Sequence, residues 1–199
     1  MDDASPQSLD RILSDLALRN GAGEDVQLAE VLELAGSRAH GVAILLLALP
    51  EALPLPIPSF GAILGVPLLA VCAHLAIFGE QVRLPSGLLR REVPGRLLDV
   101  AARYGGPAIR RAERLTRPRL GIVADRERAI GALCLILSLV LFLPIPLLNV
   151  PPAALLLILS WGLVQRDGIF VLAGMIGSAG MGIAAIFLGD ALYGLAVGG

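Results

Sequence analysis

Residues 41–79 read GVAILLLALPEALPLPIPSFGAILGVPLLAVCAHLAIFG, an apolar stretch with Pro50, Pro54, Pro56 and Pro58 set in its middle. Proline lacks the backbone donor and its ring clashes with the turn before it, so it breaks the helix it enters. Residues 41–49 are too few to cross about 30 Å of hydrocarbon. Residues 59–79 supply a return of roughly 20 residues, with a kink expected at Pro67. The unit is either two spans with an unwound turn or a re-entrant hairpin followed by a span, and the hairpin is the preferred reading. Inside a bilayer, broken backbone is tolerated only where protein or a water-filled cavity surrounds it.

The same phrase returns. Leu55-Pro56-Ile57-Pro58 is matched by Leu143-Pro144-Ile145-Pro146, within IGALCLILSLVLFLPIPLL (130–148) followed by PPAALLLILSWGLVQRD (151–167). Each copy runs apolar segment, LPIP, second apolar segment, aromatic-glycine pair (Phe78-Gly79, Trp161-Gly162) and polar exit. That shared order points to an internal duplication with shorter spacing in the second copy. Two broken membrane segments at corresponding places are a sequence pointer to a transport or binding site.

The rest of the composition agrees with a membrane protein. The 199 residues are 56% hydrophobic and 17% charged, with a mean hydropathy of +0.78, too apolar for a solvated globular domain. All 16 basic residues are arginine. The net charge of -1 conceals an asymmetry: 1–39 carries eight acids and three arginines, whereas 83–128 carries twelve arginines and five acids. Cys72 and Cys134 lie inside apolar runs and read as small buried hydrophobes, with no zinc or redox spacing. The acidic start, Asp2-Asp3, is unlike a signal peptide.

Five segments follow. Residues 1–39 are expected to form cytoplasmic amphipathic helices. The first opens at Ser5-Pro6 and stops at Asn20-Gly21. The second starts near Glu24-Asp25 and stripes Leu28, Val31, Leu32 and Ala35 along one face. Residues 40–79 are the first broken-helix unit. Residues 80–129 are an arginine-rich connection, with helical pieces at 94–104 and 107–117, placed in the cytoplasm by the positive-inside rule. Residues 130–167 are the second broken unit, and 168–199 a C-terminal transmembrane helix. There Gly174, Ser178 and Gly182 form a small-residue stripe suited to close packing, either within the chain or in a homodimer. The fold class is thus an all-α integral membrane protein with two proline-broken hairpin repeats, multi-pass.

Candidate site residues follow from cost. Glu51 is the sole acid between 41 and 79. A helix entering near His40 would carry it about 15 Å deep, where a carboxylate is costly and usually functional. It reads as a proton or cation site beside Pro54, Pro56, Pro58, Pro144 and Pro146, or else as a hydrogen-bonded carboxyl satisfying backbone that the prolines free. Leu139 holds the equivalent place in the second copy. Asn149 can donate and accept, for ligand or for capping, and His74 is either a packed residue or a proton relay. Glu80, Arg83, Arg166 and Asp167 stand at matching exits, as a gate or as anchors. Arg110, Arg111, Arg114, Arg117 and Arg119 would meet lipid headgroups or phosphate, or simply set topology. DNA binding is not expected, since no recognition motif accompanies the charge. No phosphate-cradling loop, HExxH or nucleophile elbow is present, so no enzyme and no cofactor is expected.

The acidic amphipathic start, ALPLPIPSFGAILGVPLL (52–69), the arginine-rich middle ending RLTRPRL (114–120) and FLPIPLLN (142–149) together resemble the ExoD exopolysaccharide-synthesis family. The likeness runs from about residue 10 to 190. It implies a small bacterial inner-membrane protein linked to exopolysaccharide production and to tolerance of alkaline conditions, with no established reaction. The broken segments are also similar in architecture to DedA-type membrane proteins linked to lipid translocation, an analogy of fold alone. Two functions remain open. One is a carrier with the breaks meeting at mid-membrane. The other is a non-transporting scaffold that holds biosynthetic enzymes on its basic face.

Overall fold

The computed structural model describes residues 18, 28–52, 60–80, 82, 84, 85, 87, 111, 112, 116, 117, 119–142 and 149–197. The LPIP phrases themselves, Pro54, Arg83, Arg110, Arg114, the helix expected after Ser5 except Leu18, all of 94–104, and 107–117 except Arg111, Ala112, Thr116 and Arg117 lie outside the described residues.

Every described element is helical, apart from one isolated bridge. α1 (Leu28–Ala35) leads through a 3-10 turn (Gly36–Arg38) into α2 (Ala39–Ala52), and α3 spans Phe60–Phe78. A short α4 (Gly121–Ala124) precedes α5 (Glu127–Leu141), α6 (Val150–Gln165) and α7 (Gly168–Val197). The prolines act as their positions dictate. Pro151 and Pro152 sit in the first turn of α6, where the missing donor costs nothing. Pro50 and Pro67 are carried inside α2 and α3, which continue through them.

α2 and α3 flank the first break, α5 and α6 the second. α2 packs chiefly on α6 and α3 on α5, with further contacts inside each hairpin. The first helix of each unit therefore pairs with the second helix of the other. Both crossings are made close by a glycine. A Cβ at Gly41 would lie 2.6 Å from Val164 Cγ2, and one at Gly131 would lie 2.5 Å from the Ala76 nitrogen. Ile44, Leu46, Leu68, Leu75, Ile130, Leu137, Leu156 and Leu159 fill the space between, and Leu32 of the α1 stripe joins the same core.

Both hairpins open at one end of this bundle. There Glu80 and Glu127 meet, and Gly41 lies against Val164. At the other end, where the breaks are, Glu51 meets Asn149 and Gly65 lies beside Phe142. α2 and α6, of 14 and 16 residues, are about 21 and 24 Å long, shorter than the hydrocarbon of a bilayer. Gly168–Asp190 of α7 is long and apolar enough to cross one, and only 17% of its most apolar window is buried, unlike the core helix of a globular protein.

The exits differ from the sequence expectation. Gly79, with φ +73, ends α3, so Phe78-Gly79 is a helix stop. Trp161-Gly162 lies inside α6, which runs on to Arg166 at φ +51. The two aromatic-glycine pairs are thus not equivalent. Gly162 instead faces Val171 across the turn into α7.

Candidate functional site

Polar groups in this apolar bundle gather at its two ends. At the break end, Asn149 Nδ2 donates to Glu51 Oε2 at 3.4 Å and to the Leu141 carbonyl at the same distance. Glu51 belongs to the last turn of α2, and Asn149 is the residue before α6. Leu141 is the last residue of α5, whose carbonyl the break leaves without an intrahelical partner. The two residues singled out at the separate breaks, 98 positions apart, are brought into one contact. Both are half-buried. The carboxylate retains acceptor capacity beyond this bond, and the amide oxygen of Asn149 adds another acceptor, a set that suits a proton or small cation.

At the open end, His40 is buried, and its Nε2 lies 2.9 Å from His74 Nδ1. The rings stack at 5.1 Å, and Phe78 lies against His74. One nitrogen must donate and the other accept, so with both rings neutral one N–H lies in the bond between them and the accepting ring carries its own N–H on its other nitrogen. Among the described residues no group of three or more His, Cys, Asp or Glu is arranged to hold a metal.

Two residues beyond α3, the Glu80 backbone N–H donates to Glu127 Oε2 at 2.8 Å. Glu127 opens α5, where the helix dipole favours an acid, and its carboxylate occupies the space that a Cβ on Gly79 would need. Glu80 is worse placed. Its Oε1 is sealed from solvent with no hydrogen-bond partner. Burial, then the neighbouring Glu127, push its carboxyl up to about 7, against the pull of Arg166, the Gly41 amide and Arg38. A cleft of about 420 Å³ lined by Phe78, Gly79 and 125–129 lies alongside.

Asp167 is fully buried and is not part of that group. Its Oδ2 accepts from the Arg117 backbone N–H at 3.1 Å, its Oδ1 from that of Ile169 at 3.0 Å, and Arg119 Nη2 stands 3.7 Å away. Of the four exit residues, then, Glu80 and Arg166 interact, Asp167 fastens the arginine-rich connection, and Arg83 lies outside the described residues. Gly174 of the small-residue stripe packs on Leu159 within the chain, whereas Gly182 faces open space.

Sequence reasoning missed His40 and Glu127. His40 had a signal: it precedes Leu55 by 15 residues and His74 follows Pro58 by 16, so a hairpin turned at LPIP must bring them level. Glu127 had none, since its partner lies 47 positions away across a segment whose course no local pattern sets.

A family model described as "Exopolysaccharide synthesis, ExoD" matches residues 9–188. An uncharacterized protein of Synechocystis is 28% identical over 181 residues, covering 89% of this chain and 85% of that protein. Protein ExoD of Rhizobium meliloti is 28% identical over 158 residues, 76% of this chain and 65% of its own length. No solved structure matches.

Proposed function

We propose, since the chain belongs to the ExoD family of exopolysaccharide synthesis, that it supports exopolysaccharide production as a multi-pass inner-membrane carrier. Its substrate or coupling-ion site is the contact of Glu51 with Asn149. The observation that carries this reading is that contact itself: the sole acid of the first apolar unit meets the polar residue following the second break. An ionisable group within apolar helices is costly and is kept where it does work. Two copies of one hairpin unit, crossing through Gly41 and Gly131, give the paired broken segments typical of carriers. Both copies enter from the end that bears the arginine-rich connection, hence from the cytoplasm by the positive-inside rule. The breaks then lie about 21 Å deeper, past the middle of the hydrocarbon.

The test is Glu51→Gln and Asn149→Ala, each in a host lacking its own copy, with polysaccharide output measured beside the amount of folded protein in the membrane. Output falling about tenfold or more at normal protein level, the size expected for losing a charge-assisted contact, supports the carrier. Unchanged output from both variants overturns it. Should output then depend on Arg110, Arg111 and Arg114, the scaffold on the basic face replaces the carrier.

A further inference from the structure

The segment that joins the basic connection to α5 is fastened firmly yet leaves its largest side chains outside. Asp167 takes the Arg117 backbone N–H and stands beside the Arg119 guanidinium, Gly168 donates its N–H to the Arg119 carbonyl at 2.8 Å, and Trp161 Nε1 donates to Thr116 Oγ1 at 2.9 Å. Leu120 then adopts φ 50, ψ 49, a left-handed conformation unfavourable for a non-glycine residue. Immediately after it, α4 holds Ile122 82% exposed, with Leu120 itself 53% exposed. The ties on Thr116, Arg117 and Arg119 fix the backbone that presents these two side chains outward. In the same stretch of chain Arg117, Arg126 and Arg128 are exposed, with Asp125 the one exposed acid among these described residues. α4 packs on α7, whose outward residues Ile169 and Ile176 are 44% and 71% exposed, so the aliphatic tip adjoins the face of the candidate span.

We propose that Arg117 and residues 119–128 form a fixed interfacial foot on an anionic phospholipid surface, with Leu120 and Ile122 in the acyl boundary and Arg117, Arg126 and Arg128 among the headgroup phosphates. Aliphatic tips flanked along the chain by guanidiniums match the layering of a leaflet, apolar below and anionic above. Arginine suits those flanks, because its planar fork meets phosphate oxygens in pairs. The foot sets the depth and rotation of α7 and of the hairpin mouths relative to the leaflet. The inference rests on the membrane reading above, and the experiment separates the two.

Ile122→Cys and Ile186→Cys, both at exposed positions, are made singly in the full chain; the native Cys72 and Cys134 are fully buried. Each is labelled with an environment-sensitive fluorophore and reconstituted into phosphatidylcholine vesicles with or without phosphatidylglycerol. Quenching is read from a shallow nitroxide lipid and from aqueous iodide. The expected result is lipid quenching at 186 in both compositions, and lipid quenching at 122 that is at least twofold stronger with phosphatidylglycerol. Arg126→Gln/Arg128→Gln should remove that difference. Iodide quenching alone at 122, with 186 in lipid, overturns the foot and leaves the membrane reading standing. Protection of 122 from both quenchers means that a second protein surface covers it, which also overturns the foot. Equal lipid quenching at 122 in both compositions overturns the anionic partner, and absence of lipid quenching at 186 removes the membrane reading and the foot together.

Discussion

At the scale of single residues, Glu80 carries the clearest energetic consequence. Its carboxyl is raised to about 7 by burial and by Glu127. At pH values below the ordinary carboxylate range it is protonated whether the chain is folded or not, and has no effect on stability. Between there and about pH 7 the folded protein holds a proton that the unfolded chain has lost, so stability falls as pH rises. Above that window the penalty is complete, on the order of 1–2 kcal/mol once partial solvent screening is allowed for. Glu80→Gln keeps the shape and removes the charge. It should raise Tm by about 2–6 °C at about pH 8 in detergent and flatten the fall in stability between about pH 5 and 8. A variant that melts at or below the wild-type temperature at alkaline pH would show that Arg38 and Arg166 already neutralise the site.

Among the helices, the two glycine crossings decide how closely the hairpins pack. Alanine in a helix is favoured over glycine by about 1 kcal/mol, so Gly131→Ala would stabilise α5 if nothing opposed it. Here the added Cβ meets the backbone of Leu75 and Ala76, which cannot yield as a side chain tip can, and overpacking costs typically about 1–3 kcal/mol. Thermal melts should therefore rank Gly131→Ala below wild type, and Gly180→Ala, whose Cβ meets open space, at or above it. Reversal of that order would mean α3 and α5 separate freely. The helices around each LPIP were legible in the sequence because proline acts locally. Glu51 and Asn149 stood out too, because a polar residue in an apolar run is costly wherever the chain folds, but their meeting across 98 positions did not. The equivalence of Phe78-Gly79 with Trp161-Gly162 was not sound, because a glycine stops a helix only where tertiary contacts let it. Gly162 is held helical against Val171, and Trp161 is held by Thr116, 45 positions earlier. Nor could any local pattern show that Asp167 would leave the exit charges to fasten the connection.

For the molecule as a whole, the decisive feature is that both hairpins open at the same end. An odd number of crossings in the first unit would have separated His40 from His74 by the thickness of the bundle, yet their ring nitrogens lie 2.9 Å apart; the second unit starts at the same end, where Glu127 takes the Glu80 N–H, and returns to it, where Val164 lies against Gly41. The α2–α3 and α5–α6 units are consequently parallel in direction, not inverted. α7 leaves from the same end, since Gly168 is tied to Arg119 beside the mouth of the second hairpin, and its span of 23 residues covers about 35 Å. With the mouths at one face of a bilayer, α7 must deliver Gly189 to the other. Single cysteines replacing Val82, Arg126 and Gly189, all exposed, test this in sealed vesicles with a membrane-impermeant maleimide. Positions 82 and 126 should label from one side and 189 from the opposite side. Labelling of 82 and 126 from different sides would break the common mouth, and with it the convergence of the two breaks on Glu51 and Asn149. If all three label from one side, α7 does not cross, and its exposed aliphatic face would need a protein partner in place of lipid.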